Sequence, residues 1–277
     1  MRIIAISNFK GGVGKTTTAT NFAYNLSVLN FRVLLVDADP QGNSSYFYGK
    51  YDLNKMSLSE VLSKQCTVKK AIIRTKYKNL DLLPANQKLD GLTEDAAGIP
   101  LTGNELGHYL NEVSDRYDFC VIDCQPSFQL NTLAALNCAN DVVIPLRLGR
   151  FSINGLELMS EMIEQIRYNN PDISYRVLVT MFRQNIRTSR NSILELVEEY
   201  NYPLYNTGIR NCIAVDECEN LKKPLSKGRS TSNVCCDYKK FTAEYLTYFF
   251  ENNNWTRFIT ETSKGAANEL YVKLIGQ

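Results

Sequence analysis

The stretch FKGGVGKTTT, residues 9 to 18, limits what this chain can fold into more than any other. Gly11, Gly12 and Gly14 allow a tight turn whose backbone N–H groups face inward. Before the turn runs the apolar stretch RIIAIS (2 to 7). After it, Ala19, Phe22, Ala23 and Leu26 fall at i, i+3, i+4 and i+7, one apolar face of a helix. Strand, glycine turn and helix in that order open a βαβ unit, in which the helix carries the chain back for a parallel neighbour.

The rest of the chain repeats that alternation. RVLLVD (32 to 37), LDLLPA (80 to 85), FCVID (119 to 123), DVVIPL (141 to 146) and YRVLVTM (175 to 181) are nearly continuous apolar runs, the pattern of parallel strands covered on both faces. GLELMSEMIEQIRYNN and TSRNSILELVEEYN have helical period. The expected fold class is α/β, a doubly wound, mostly parallel sheet with helices on both faces, in one domain spanning 1–277 with terminal helices after about residue 237.

Composition excludes several classes. With 31 Lys and Arg against 29 Asp and Glu, contact with nucleic acid or membrane has to come from local patches. No apolar run approaches membrane-spanning length, and the lead before the glycine turn is too short for a signal peptide, so a cytoplasmic protein is expected. The cysteines, Cys66, Cys120, Cys124, Cys138, Cys212, Cys218, Cys235 and Cys236, lack paired C-x-x-C spacing and read as free thiols. His108 has no partner histidine, and Trp255 reads as a core or interface anchor.

The phosphate-loop pattern G-x-x-x-x-G-K-[ST] is met at Gly14, Lys15 and Thr16, while Phe9 stands where the first glycine is usual. The chemistry survives that departure. Residues Gly11, Gly12, Val13, Gly14, Lys15, Thr16 and Thr17 are the candidate cradle, and the following helix turns its positive end to the same anion. Lys15 neutralises phosphate charge, and Thr16 offers a hydroxyl for Mg²⁺. Asp37 and Asp39 end one strand and Asp123 ends another, so all three reach the carboxyl edge of the sheet, where ligands bind. A single strand-ending aspartate is commonly a turn residue. Three that converge on a phosphate loop are a site.

KGGVGKTTT, VDADPQGN and VIDCQPS resemble, in order and spacing, the deviant Walker A, Walker A′ and Walker B motifs of the ParA/Soj-type partition ATPases, within the MinD/ParA class of P-loop proteins. NLDLLPAN, IPLRLGRFSINGL and VLVTMF are similar to later family segments, and PQGN (40 to 43) is like the partition proteins rather than their MinD-type relatives. The resemblance implies ATP and Mg²⁺ as cofactors, ATP hydrolysis, and a nucleotide-sandwich homodimer in which Lys10 reaches the phosphates held by the partner. It implies that Asp39 positions or polarises the attacking water, and that Asp37 and Asp123 support Mg²⁺ through its water shell. It further implies ATP-dependent binding of non-specific DNA, nucleoid association, and reset by a ParB-like centromere-binding adaptor, with no membrane partner.

The candidate DNA contacts are Arg183, Arg187, Arg190, Arg210, Lys222 and Lys223, most of them in two acid-free stretches that could equally be solvated basic faces. Ala214 departs from the family at a place where relatives often carry a basic residue used on DNA; Gln125 replaces a proline, and LRLGR (146 to 150) is unusually basic. The chain begins at its first strand, so operator binding through an amino-terminal extension is not expected. Two alternative readings remain: a MinD-like membrane-cycling regulator, and a nucleotide switch that controls transfer or replication through protein contacts alone.

Overall fold

The computed structural model describes residues 1–149, 152–183, 196, 198 and 200–252. Its centre is a seven-stranded sheet. The strands are β1 (Arg2–Ile6), β2 (Val33–Ala38), β3 (Ile73–Arg74), β4 (Leu80–Leu83), β5 (Phe119–Cys124), β6 (Asp141–Arg147) and β7 (Ser174–Thr180). They lie in the order β3-β4-β2-β5-β1-β6-β7, and all pairings are parallel except β3 with β4. The expected runs became the six parallel strands within a residue or two at their ends. The short antiparallel edge strand β3 was not foreseen, because two residues carry no readable period.

Parallel pairing explains the near-continuous apolar composition. Along β1, Ile4 and Ile6 enter one core and Ala5 the other; along β2, Val33 and Leu35 separate in the same way from Leu34 and Val36. One face is covered by α1 (Lys15–Val28) and, further along the chain, by the long helix Asn233–Asn252. The other is covered by α3 (Leu58–Leu62), α5 (Glu105–Asn111), α6 (Leu130–Cys138) and α7 (Ser152–Ile166). Short helices α2 (Asn43–Phe47) and α4 (Val68–Ala71) fill connections. Two further short helices, α8 (Ala214–Asn220) and α9 (Leu225–Gly228), precede the long one, here α10. Helix α10 starts at Asn233, somewhat before the expected position near 237.

Strand order positions the site. The chain leaves β1 through α1 and enters β2 two places away; β5 later fills the gap and pairs with both. The carboxyl ends of β1, β2 and β5 therefore lie side by side, with Asp123 in register with Ile6 on one side and Asp37 on the other.

The apolar face read from α1 is the face that packs. Ala19, Phe22, Ala23 and Leu26 are fully buried, and the Phe22 ring lies 5.1 Å from Phe241 and 5.0 Å from Tyr245 of α10. Truncation there leaves a cavity between two helices and the sheet. Phe22→Ala is expected to cost about 3–5 kcal/mol, measurable by urea unfolding; a loss below about 1 kcal/mol would show that α10 collapses onto the sheet without this ring.

Candidate nucleotide site

The glycine turn hangs between the end of β1 and the start of α1. Asn8, buried, holds its entry: the side-chain amide donates to the Pro145 carbonyl of β6 at 2.8 Å, and its Oδ1 accepts the Lys10 N–H at 2.9 Å. Gly12 and Gly14 have φ of +67° and +87°, the left-handed region that a side chain disfavours. The carbonyl of Val13 accepts the Thr180 hydroxyl at 2.8 Å, tying the turn to the end of β7. The amino end of α1 has neither a side-chain cap nor an acidic residue in its first turn. Its inward N–H groups and dipole thus lack a protein anion, as a phosphate cradle requires.

Lys15 opens that helix and is buried. Its Nζ donates to the main-chain carbonyl of Lys10 at 2.9 Å, so the loop closes on its own cation. Burial lowers the Lys15 pKa, while Asp123 and Asp39 pull it back up. The Lys10 side chain, in contrast, is exposed at the rim and forms no ion pair among the described residues. Thr17 donates its hydroxyl to Glu219 of α8 at 2.7 Å, a link across most of the chain that no local pattern signals.

The carboxylates face this cation from the next two strands. Asp37 is fully buried and accepts both the N–H and the hydroxyl of Ser45 at 2.7 Å. Asp123 is fully buried, accepts the Ser44 hydroxyl at 2.8 Å on Oδ2, and leaves Oδ1 without a partner among the described residues. Asp39 accepts the Gln41 N–H at 2.9 Å. Burial raises all three pKa values, and the Asp123 charge raises Asp37 further because the register sets them side by side. The Thr16 hydroxyl approaches Asp123 closely enough to lower its pKa, and this hydroxyl and carboxylate, between a second carboxylate and an anion cradle, make a place where a divalent cation fits.

Ser44 and Ser45 were not singled out in the sequence. Their signal is Gly42, whose φ of +63° turns the chain after β2 so that α2 starts with both hydroxyls under the aspartates. A Cβ at Gly42 would stand 2.5 Å from the Tyr51 ring, which excludes other residues there.

The candidate basic residues are less concentrated. Arg183, Lys222 and Lys223 are exposed, with the Lys222 ammonium 4.1 Å from the Tyr46 ring centre. Arg210 is paired: its guanidinium donates to Asp237 of α10 at 2.6 and 2.8 Å. Ala214 is buried in the core that α8 shares with α1 and α10, so no basic side chain projects from that position. Arg187, Arg190, Arg150 and Trp255 lie outside the described residues. The eight cysteines are free thiols, and His108 is exposed beside Glu112. No helix among the described residues is long and apolar enough to cross a membrane.

A glycine cradle on a helix end, a buried lysine within it and aspartates on the two neighbouring strands define a P-loop nucleotide-binding protein. The pattern of the AAA domain family matches residues 1–175. The chromosome partitioning protein ParA of Myxococcus xanthus is 32% identical over 248 residues, 88% of each chain. The sporulation initiation inhibitor protein Soj of Bacillus subtilis is 34% identical, covering 81% of this chain and 90% of its own. Among solved structures, a cobyrinic acid a,c-diamide synthase from Mycobacterium smegmatis, with bound ATP analog and magnesium, superposes with a TM-score of 0.78 at 28% identity, covering 91% of this chain and 97% of its own. The chain belongs to the AAA domain family and, within it, to the ParA/MinD class of P-loop ATPases.

The buried acid pair has a measurable consequence. A carboxyl whose pKa is raised by folding stabilises the fold below its unfolded value, and that contribution is lost as pH climbs through the raised one. Without nucleotide, the Asp37 and Asp123 pair therefore weakens the fold at neutral and basic pH. Asp123→Asn is expected to raise the nucleotide-free protein's stability by about 1–3 kcal/mol near pH 8, with the gain shrinking near pH 5. Thermal unfolding across that range checks it, and a variant less stable at both pH values would contradict it.

Proposed function

We propose that this chain is an ATP-driven partition switch: it binds ATP with Mg²⁺, pairs with a second copy across the nucleotide, holds DNA without sequence preference, and is reset by hydrolysis that an adaptor protein stimulates. The observation that carries the reading is the separation of the two lysines. Lys15 is buried in the cradle, while Lys10, whose carbonyl Lys15 grips, sends its own side chain outward to where a partner's phosphates would come.

In this reading the turn N–H groups and Lys15 bind the phosphates. Lys15 gives up the Lys10 carbonyl for the ligand, which frees the backbone beside Lys10. Thr16 with Asp37 and Asp123 would hold Mg²⁺, which supplies charge neutralisation between phosphate oxygens. Among the described residues no three His, Cys, Asp or Glu side chains cluster for direct ligation, which suits an ion kept largely on water and phosphate. Asp39, at the mouth of the pair and anchored by Gln41, orients the attacking water and takes up its proton.

DNA contact rests on Arg183, Lys222 and Lys223, with Arg187 and Arg190 as further proposed contacts. The pairing of Arg210 and the burial of Ala214 also support a second reading, a nucleotide switch that works through protein contacts alone. Fluorescence anisotropy of an arbitrary duplex, with ATP, ADP or no nucleotide at two salt concentrations, separates the two. Binding with ATP only, falling steeply with salt, is expected of the partition switch; hydrolysis without DNA binding in any state selects the protein-only reading. Asp39→Ala is expected to lower phosphate release at least about 100-fold, the scale of lost general-base assistance, while ATP still binds. Unchanged release would remove Asp39 from the chemistry.

A further inference from the structure

The edge of the sheet opposite the nucleotide site carries a second concentration of charge. A cleft of about 560 Å³ opens there, beside the amino ends of β2, β4 and β5, and its size is that of a ligand site. Arg32, Arg74, Lys76, Lys78 and Arg116 line it, against one lining carboxylate, Asp81. Asp118 takes Arg32 at 2.7 Å and Asp115 stands exposed at the margin, yet the cations still outnumber the acids. Arg74, Lys76, Lys78 and Arg116 are exposed and form no ion pair among the described residues. The β3–β4 hairpin that presents three of them is fixed in place. The Thr75 hydroxyl donates to the Leu80 carbonyl at 2.7 Å and accepts the Tyr77 N–H at 3.1 Å, and the Tyr77 ring packs edge-on to Tyr24 of α1 at 5.0 Å. Lys76 and Arg116 lie over the Tyr77 and Tyr117 rings, 5.3 and 5.7 Å from their centres.

We propose that this cleft binds an extended acidic segment of a partner protein. Its lining is mixed rather than uniformly basic: Asp81 lies among the cations, directly opposite Arg74 in the β3–β4 register, and accepts the Tyr117 hydroxyl at 2.8 Å. A ligand that suits this lining needs anions for the cations and a donor for Asp81. A peptide has both, carboxylates on its side chains and N–H groups along its backbone. A nucleic-acid strand carries an anion at every phosphate and would set one against Asp81. Tyr117 is buried and Tyr77 half-buried, each with a cation over it, so neither offers an open ring for base stacking. The cations already set over rings lose less freedom when a ligand arrives, which favours binding. The length of β2 and β5 separates the cleft from Asp37 and Asp123, so binding here requires neither DNA nor a second copy of the chain.

The test uses the full chain with Mg²⁺ and a non-hydrolysable ATP analogue, so that the phosphate loop holds its own anion and does not compete for the probe. At low ionic strength, where charged contacts are least screened, fluorescence anisotropy follows labelled hexaglutamate and, separately, a labelled duplex of arbitrary sequence. Lys76→Glu/Lys78→Glu is expected to bind hexaglutamate at least about tenfold more weakly than wild type, one affinity decade. Lys76→Arg/Lys78→Arg is expected to hold the peptide within about twofold of wild type, and duplex affinity to change by less than that in either variant. Both lysines are exposed, and an unchanged thermal unfolding midpoint shows that the hairpin is intact; if the reversal lowers it, Lys76→Gln/Lys78→Gln is expected to weaken peptide binding in the same direction. A wild type that ignores hexaglutamate, or neutralised and reversed variants that bind it as well as wild type, would overturn the proposal. A loss of duplex affinity equal to the loss for the peptide would overturn it in favour of a nucleic-acid surface.

Discussion

One buried ammonium facing three largely buried carboxylates is the constraint around which the rest of this structure is arranged. Asp37 and Asp39 come from the end of β2, Asp123 from the end of β5 and Lys15 from the start of α1, and each is removed from water. Charges in such surroundings are costly unless partnered. The protein supplies partial answers: Ser44 and Ser45 bind the acids, the Lys10 carbonyl takes the Lys15 ammonium, and burial itself shifts each group toward its neutral form. What stays unanswered, a donor-free oxygen on Asp123 and an uncapped helix end, has the chemistry of a cation and of an anion respectively. A magnesium-bound triphosphate brings both, so ligand binding completes an electrostatic arrangement that the fold leaves open.

The same arrangement suits a switch better than a fast catalyst. The turn is tied to β6 through Asn8, to β7 through Thr180 and to α8 through Thr17 and Glu219. A change at the phosphates therefore has direct mechanical neighbours on the side of the molecule that holds Lys222 and Lys223. Lys10 stands exposed on the same turn, with no ion pair among the described residues.

Much of this was legible in the sequence because its cause is local. Continuous apolar runs report burial on both faces, and the glycine turn with its flanks reports a strand, a phosphate cradle and a helix. The strand-end aspartates report which sheet edge matters. The rest is set by contacts between distant segments. No periodicity reveals that Ser44 will meet Asp123, that Thr17 will meet Glu219, or that Phe128 will find Phe9. Arg210 shows the limit most clearly: a basic residue in a plausible place is held by Asp237, which follows it at a distance and lies on another helix. Charge read along the chain does not distinguish a free arginine from a paired one.

The central claim is that Lys15 serves its own nucleotide and Lys10 a neighbour's. The most direct measurement is sedimentation equilibrium of Lys10→Ala beside the wild type, with Mg²⁺ and a non-hydrolysable ATP analogue, paired with nucleotide affinity measured on the monomers. The account predicts a wild-type dimer, a monomeric variant, and equal affinity of the two monomers for the analogue. A Lys10→Ala protein that dimerises as the wild type does would contradict it, because the exposed lysine would then have no part in joining the two copies.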